Sequence, residues 1–249
     1  DTSTIIFAST VSQSLQPFLL TQAPASIAHP FIGAVNFGQD SWVIHNDTVF
    51  QDIALRIDIS GIKLNFAPWH VSIPIGLPQP FTSSNNFCDT ISNQPSLLYY
   101  QRYLPQDISK LTPKEINNYF STYPLCFQQK QTYQFIAPIM VGEQNSLVLP
   151  IDPPPNSNMI TLAMENTAFP DELIKQITQN LPTTTEQTPL LFTSAHKDFP
   201  TFINDKEQKL FTAENFPDPL RIASQGIIFN TPNQPPIYTS HGRLLANFS

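Results

Sequence analysis

Histidine, serine and aspartate side chains are those of this sequence that could act as metal ligands, general bases or nucleophiles. The five histidines stand singly, as His29, His45, His70, His196 and His241. No two of them have the HxH or HExxH spacing of a local metal site. The stretch 194–198 places a serine, a histidine and an aspartate together, but a catalytic triad is assembled in space from distant positions. Adjacency of this kind is typical of a solvated turn.

Pairs of carboxylates could catalyse glycoside hydrolysis if they stood roughly 5–9 Å apart across a cleft. The candidates are Asp52, Asp58, Asp152 and Glu165, and sequence spacing gives no such distance. The GxSxG nucleophile elbow and the glycine-rich phosphate-binding loops are absent from the sequence. The sequence therefore predicts no catalytic residues, no metal site and no cofactor, and it favours a protein without enzymatic activity.

The sequence contains two cysteines, Cys88 and Cys126, and neither stands in a CxxC motif. Two cysteines alone do not make a zinc site. We predict a disulfide between them, with two buried free thiols as the main alternative and a catalytic cysteine as the third. The bridge would close a loop of about 38 residues and would stabilise the fold by roughly 3–4 kcal/mol in the chain-entropy model.

Aromatic residues and prolines are concentrated between positions 76 and 103. The segment 76–98 is predicted to be a long connection without regular structure, and 97–103 to be a strand or a short helix. Aromatic side chains provide a large contact area with few torsions to restrict, so we predict a protein-binding surface here. Ordinary core packing is the alternative for the tyrosines. The interface candidates are Phe81, Phe87, Tyr99, Tyr100 and Tyr103.

The clearest structural pattern lies in the stretch 46–80. Apolar side chains at Ile53, Leu55, Ile57 and Ile59 alternate with more polar ones, and a period of two is that of a β-strand with one buried face. We predict consecutive antiparallel strands over 49–75, with these four side chains facing inward.

Two short helices are predicted. At Thr112, a capping hydroxyl is followed by Pro113 and, three positions after the cap, by Glu115, which is the pattern of a capping box. The stretch 169–181 opens with a proline and two acidic residues and has one apolar stripe.

The predicted fold is mainly β, an antiparallel two-sheet, sandwich-like domain with two short peripheral helices. We predict a single β-rich domain over 1–249. A subdivision is possible at 152–158, where three prolines stand in a row, into a sandwich core and a smaller α+β extension.

Composition limits the classes of function. Charged residues are only 12% of the chain, the net charge is −7, and the 12 basic residues are scattered, which argues against nucleic-acid binding. No apolar run approaches the ~20 residues of a transmembrane helix. Proline, at 25 residues, is roughly double its usual ~5% share, and this stiffens the loops. A hydrated but weakly charged surface of this kind suits secreted proteins, shells and assembly subunits.

From these observations we predict a non-enzymatic structural or protein-binding subunit of an extracytoplasmic assembly, in the periplasm, in the cell envelope or secreted. Its partners would be other proteins, in a hetero- or homo-assembly, bound without a cofactor. One alternative is a secreted hydrolase whose site is assembled only in space. The other is a virion shell protein, which would assemble into closed particles.

Overall fold

The computed structural model describes residues 2–10, 27, 29–37, 43–70, 72–104, 107–129, 132–154, 157, 159–165, 171–181, 189–194, 219–224, 226–230, 237–239 and 242–248. Within these residues the chain is mainly β, with short helices at the periphery of packed sheets. The predicted mainly β, sandwich-like fold is thereby confirmed.

The described strands are β1 (Thr2–Thr10), β2 (Phe31–Phe37), β3 (Val43–His45), β4 (Thr48–Phe50), β5 (Ile53–Ser60), β6 (Leu64–His70), β7 (Ser72–Ser84), β8 (Phe87–Ile91), β9 (Gln94–Pro95), β10 (Leu125–Gln129), β11 (Thr132–Ile136), β12 (Met140–Val141), β13 (Leu147–Val148), β14 (Met159–Glu165), β15 (Leu190–Ser194), β16 (Leu220–Ser224), β17 (Gly226–Asn230), β18 (Ile237–Thr239) and β19 (Gly242–Phe248). The described α-helices are α1 (Ser96–Gln101), α2 (Pro113–Thr122) and α3 (Asp171–Asn180). Short 3-10 turns span Ile108–Lys110 and Glu143–Asn145.

The described strands form three larger sheets and one hairpin. The five-stranded sheet has the order β18-β17-β2-β1-β5, and the four-stranded sheet has the order β16-β15-β19-β6. The eight-stranded sheet runs β11-β10-β14-β7-β8-β13-β12, with β9 beside β8, and β3 pairs with β4. Most neighbours are antiparallel, while β1 with β2 and β15 with β16 are parallel.

The five-stranded sheet lies between the other two. Along β1, Ile6 faces a core shared with the eight-stranded sheet and with α1 and α2. Its neighbour Ile5 faces the opposite way, into a core shared with the four-stranded sheet. Successive side chains of a strand point to opposite faces, so the alternation seen in the sequence here serves two cores. The outer face of the four-stranded sheet is covered by α3 through Ile177 and Leu181.

Both predicted helices occur. Thr112 accepts a hydrogen bond from the Glu115 backbone N–H at 3.3 Å, and the Glu115 carboxylate accepts one from the Thr112 backbone N–H at 2.8 Å, so the predicted capping box of α2 is confirmed. The Glu115 carboxylate also accepts a hydrogen bond from the Thr112 hydroxyl at 2.7 Å. The bond from the Thr112 backbone N–H, followed by the bond from its hydroxyl, holds the pKa of Glu115 below its usual value. In α3, the apolar stripe packs against Trp69 and Leu191. The predicted start of α3, at 169–170, lies outside the described residues.

The strands predicted over 49–75 are present, but they do not pair with one another. Strand β5 pairs with β1, β6 with β19, and β7 with β14, so each belongs to a different sheet. The chain leaves the five-stranded sheet at Gly61, which has a φ of 77°. The hydroxyl of Ser3 then donates to the carbonyl of Ile62 and accepts from the N–H of Leu64, both at 2.9 Å. These two bonds fix the crossing from one sheet to the next.

The predicted face of the four β5 side chains is right, since Ile57 lies opposite the core residue Ile5, but Ile57 is 41% exposed and is not buried as expected. The other three, Ile53, Leu55 and Ile59, are half-buried. The reason is the position of β5 at the end of its sheet, where no described strand flanks it on one side. The alternation therefore predicted a strand correctly, but it could not show how deeply that strand is buried.

The prediction of an irregular connection over 76–98 is also wrong. This stretch contains the second half of β7, then β8, β9 and the start of α1. Proline is tolerated in a strand where its nitrogen faces an unpaired side, and β7 has such a side along much of its length. A turn at Asn85, with a φ of 52°, joins β7 to β8.

Two parts of the chain have the same strand arrangement. In the first, β1 is flanked by the parallel β2 and the antiparallel β5. In the second, β15 is flanked by the parallel β16 and the antiparallel β19. In each, a two-stranded hairpin, β3–β4 or β17–β18, lies between the second and the third of these strands in chain order. The core around Ile6 includes side chains on both sides of 152–158, such as Ile151 and Ile160.

Candidate functional site

The outer edge of β5 is the first candidate site. The backbone N–H of Thr4 donates to the carbonyl oxygen of Pro30 at 3.2 Å, so the backbone of Thr4 points toward β2 and away from β5. Thr4 and its register partner Asp58 therefore form a non-hydrogen-bonded pair of the antiparallel β1–β5 ladder. The same alternation directs the backbone N–H and C=O groups of Arg56 and Asp58 outward, where no described strand pairs with them.

A polar cluster of Thr4, His29, Arg56 and Asp58 lies on this edge. Asp58 Oδ1 accepts hydrogen bonds from the Thr4 hydroxyl at 2.5 Å and from Arg56 Nε at 2.8 Å, and His29 Nε2 lies 3.6 Å from the same oxygen. The bond from Arg56, followed by the bond from Thr4, lowers the pKa of Asp58 below its usual value. Both members of the Arg56–Asp58 pair are nearly half exposed, so water screens their attraction.

Thr4 and His29 do not form an activated nucleophile. The Asp58 carboxylate only accepts hydrogen bonds, so the single hydroxyl proton of Thr4 is donated to it. His29 Nε2, 2.6 Å from the Thr4 oxygen, must then be the donor in that contact. A general base requires the opposite polarity, with an unprotonated nitrogen facing the hydroxyl. Thr4 is also fully buried, so its hydroxyl is not accessible to a substrate.

The first part of β7 is the second candidate site. Leu77 is 77% exposed, more than any other large apolar side chain of the described residues. It stands between Gly76, whose φ is 79°, and Pro78, whose ring fixes its own φ. A Cβ added at Gly76 would lie 3.0 Å from the hydroxyl of Tyr103, so the backbone here is close to a packed side chain. The backbone next to Pro78 thus holds an apolar side chain in solvent. Leu77 was not predicted as a binding residue, and the sequence Gly-Leu-Pro could have indicated it.

The open side of β7 lacks a backbone donor at Pro74. Ala163 donates its N–H to the carbonyl of Pro124, just before β10, so Pro74, its partner on β7, directs its own backbone away from β14, to a side where no described strand pairs with it. Pro80 also directs its backbone away from β14, but there its carbonyl accepts a hydrogen bond from the N–H of Ser92 at 2.8 Å. A proline in the position of Pro74 is a common protection against pairing with another strand. At Pro74 a partner finds no backbone donor and must contact side chains.

Two of the predicted interface residues, Tyr99 and Tyr100, are 4% and 0% exposed. The ring of Tyr100 packs edge-to-face on Phe120, with ring centroids 5.2 Å apart, and its hydroxyl lies within hydrogen-bonding distance of the carbonyls of Tyr119 and Tyr123. Burial raises the pKa of both Tyr99 and Tyr100. These two side chains belong to the core and offer almost no surface to a partner.

The other predicted interface residues are half-buried. Phe81 packs edge-to-face on Phe127, with centroids 5.3 Å apart. The hydroxyl of Tyr103 lies 3.3 Å from that of Tyr99, and Phe87 lies opposite Val148 in the register of β8 and β13. The exposed apolar side chain of α1 is Leu98, at 47%. Leu98 was not predicted, because the sequence did not decide between a strand and a helix here and so did not show which side chains face solvent.

The predicted Cys88–Cys126 disulfide is wrong, because both thiols are free and buried. Cys88 lies in the core between the five- and eight-stranded sheets. Cys126 faces the opposite side of the eight-stranded sheet, against Phe135 and Ala163. Burial raises the pKa of Cys88 to about 11 and that of Cys126 to about 12, so both remain protonated near neutral pH. A protonated, buried thiol is a poor nucleophile.

The remaining chemical candidates form no site within the described residues. No three His, Cys, Asp or Glu side chains among the described residues are grouped closely enough to hold a metal ion. Ser194 ends β15, whereas His196 and Asp198 lie outside the described ranges. Among the helices that are described, none has the length and apolar character needed to cross a membrane.

No protein-family model matches this chain, and comparisons with curated proteins and with solved structures found no significant match.

Proposed function

We propose that this protein is a non-enzymatic, protein-binding subunit of an extracytoplasmic assembly, and that it binds a protein partner through the first part of β7. The observation that carries the proposal is Leu77, an apolar side chain that is 77% exposed on a strand stiffened by prolines. Burying a leucine side chain on binding is worth about 1.5–3 kcal/mol. The ring of Pro78 already restricts the backbone next to Leu77, so less entropy is lost there when the complex forms.

The neighbouring surface supports the same use. Ile73, on β7, lies directly opposite Met164 on β14, and both are also exposed, at 43% and 42%. Directly opposite residues of an antiparallel pair have side chains on the same face. The region around β7 therefore presents three large apolar side chains and no charged residue between positions 72 and 84. Contact with a partner here depends on apolar burial, so its affinity should vary little with salt.

The extracytoplasmic location rests on composition alone. The low content of charged residues supports an extracytoplasmic location. The two thiols are free, so no disulfide between them supports it. A virion shell role would differ by the formation of closed particles by the purified protein, which electron microscopy would detect.

The experiment is a quantitative pull-down from native extract with three forms of the protein. The wild type and L220S should retain the partner, and L77S should retain at least about fivefold less, because loss of an interface anchor typically costs more than about 1 kcal/mol. Leu220 is a matched control, being 60% exposed at the start of the edge strand β16. Retention by the wild type should be similar at about 0.1 M and about 1 M salt.

The proposal fails if L77S and L220S retain every captured protein equally, or if retention by the wild type disappears at high salt. Far-UV circular dichroism of the two variants shows whether they are folded. Turnover of an ester, peptide or glycan by the purified wild type would instead support the hydrolase alternative.

A further inference from the structure

Among the described residues, no strand pairs with the outer edge of β5. The backbone groups of Ala54, Arg56, Asp58 and Ser60 point outward, since the alternate residues of β5 are bonded to β1. Pro74 removes a backbone donor from the open side of β7, but β5 contains no proline over its eight residues. An edge strand of this length, with donors and acceptors that no described strand pairs with, is a template for another strand.

We propose that two copies of this chain associate through β5, antiparallel and about a two-fold axis that passes beside Ile57. The two five-stranded sheets then become one continuous sheet across the dimer. The proposal uses a different surface from the β7 region, so each can fail without the other.

The backbone geometry fits this register. When Ile57 lies opposite Ile57 of the second copy, Arg56 lies opposite Asp58 of the second copy. Two residues further along, Asp58 lies opposite Arg56 of the second copy. Both Arg56 and Asp58 direct their N–H and C=O groups outward, as a hydrogen-bonded antiparallel pair requires. Ala54 then lies opposite Ser60 and is bonded in the same way.

The charges fit the same register. Directly opposite side chains in an antiparallel pair lie on one face and interact, favourably when their charges are opposite. Arg56 and Asp58 are two positions apart on one face and already bond to each other at 2.8 Å. Two-fold pairing places each arginine opposite the aspartate of the second copy, so four charges alternate in sign. Charges that protect an edge strand usually repel a second copy, whereas these attract it.

The apolar side chains fit as well. Ile57, 41% exposed in one copy, meets Ile57 of the second copy at a non-hydrogen-bonded position, where side chains approach most closely. Leu55 lies opposite Ile59 on that face. Dimerisation thus buries the apolar side chain that β5 leaves in solvent.

The chain contains an internal precedent for this arrangement. Strand β19 occupies the position in the four-stranded sheet that β5 occupies in the five-stranded sheet, antiparallel to the first strand of a parallel pair. On β19 the outer side is filled by β6, which is antiparallel to it over seven residue pairs. The proposed second copy of β5 fills the equivalent place beside β5. A single pair of edge strands buries little surface, so we expect a weak dimer, with Kd in about the micromolar to millimolar range.

The test is sedimentation of the purified full chain over a concentration range from about 1 µM to about 1 mM, with two charge variants. The wild type should dimerise reversibly. R56D and D58R, which place like charges opposite each other, should each raise Kd at least about tenfold. An equimolar mixture of the two variants should form a heterodimer, because each aspartate then faces an arginine again. R56D leaves Thr4 and His29 untouched, and formation of the heterodimer shows that both variants are folded.

A second measurement locates the interface. Hydrogen exchange at the amides of Arg56 and Asp58 should slow as wild-type concentration rises, and exchange in β19 should not change. A chain that stays monomeric throughout the range overturns the proposal. A dimer indifferent to both charge variants, or a mixture that forms no heterodimer, also overturns it.

Discussion

Strands β5 and β19 occupy equivalent positions in two sheets but have different surroundings. Each is antiparallel to the first strand of a parallel pair, β1 in one case and β15 in the other. Strand β19 has β6 on its other side and is fully buried at Leu244 and Leu245. Strand β5 has no described strand on its other side, and Ile57 at its centre is exposed.

The difference shows that position in a local arrangement does not decide the role of a strand. The same three-strand pattern provides an interior strand in one sheet and an interaction edge in the other. The deciding factor is whether the chain itself supplies a fourth strand. Strand β6 does so for β19, and no described strand does so for β5. We therefore expect β19 to contribute to stability and β5 to contribute to association.

The largest expected contrast is in amide hydrogen exchange at low protein concentration. Amides of β19 are enclosed by strands on both sides and should exchange only through extensive unfolding, whereas no strand in the described part of the chain pairs with the outward amides of Arg56 and Asp58. With a global stability of at least about 5 kcal/mol, the rates should differ about a thousandfold or more. Mass spectrometry of peptides from the two strands measures this. Equal protection at low concentration would mean that another part of the chain covers β5.

The next largest contrast is expected in the free energy of unfolding, when an apolar side chain of each strand is replaced by alanine. Leu245→Ala removes a fully buried side chain that packs against Trp69 and Leu191, and it should lower the free energy of unfolding by about 2–5 kcal/mol. Ile57→Ala removes a side chain already 41% exposed and should cost about 1 kcal/mol or less. Urea denaturation measures both. Similar midpoint shifts for the two variants would contradict the assignment of β5 as an edge.

A smaller effect is expected where β5 is joined to β1 by side chains. Thr4→Val keeps the shape of the buried side chain but removes the hydroxyl that contacts Asp58 and His29. The expected loss is about 0.5–1.5 kcal/mol, the net value of a typical hydrogen bond. Thr2→Val, the same change at an exposed threonine of β1, is the control for substitution within this strand. An unchanged urea midpoint for Thr4→Val would mean that the cluster does not hold the edge.

The smallest expected effect is a pH dependence from Asp58. Its pKa is lowered in the folded protein, so the unfolded chain binds the proton more tightly and stability rises with pH. The contribution is fully present above the pKa of about 3.9 of an unfolded aspartate, and it is lost as pH falls through the lower folded-state pKa. The stability difference between the wild type and Asp58→Asn should therefore shrink on acidification. It should also shrink with added salt, since the group is exposed. If the stability difference between the wild type and Asp58→Asn stayed constant from neutral to acid pH, the lowered pKa of Asp58 would not be its cause.

Local patterns determined several features of this protein. The capping box at Thr112 and the alternation from Ile53 to Ile59 depend on backbone geometry within a few residues, and both predicted their elements correctly. The prolines over 76–98 led to the wrong prediction of an irregular connection, because the effect of a proline on a strand depends on whether its nitrogen faces a neighbouring strand. That neighbour is not visible in the local sequence.

Tertiary structure alone decided which surfaces are open and which groups meet. Strand β5 pairs with β1, about fifty positions earlier, and Asp58 meets Thr4 and His29 only through that pairing. Cys88 and Cys126 are buried on different sides of one sheet, so their spacing along the chain could not show that they are free. Tyr100 of α1 is a core residue because Phe120 of α2 packs on its ring. Period and capping are local properties of a chain, whereas burial and exposure depend on partners that only the folded molecule brings together.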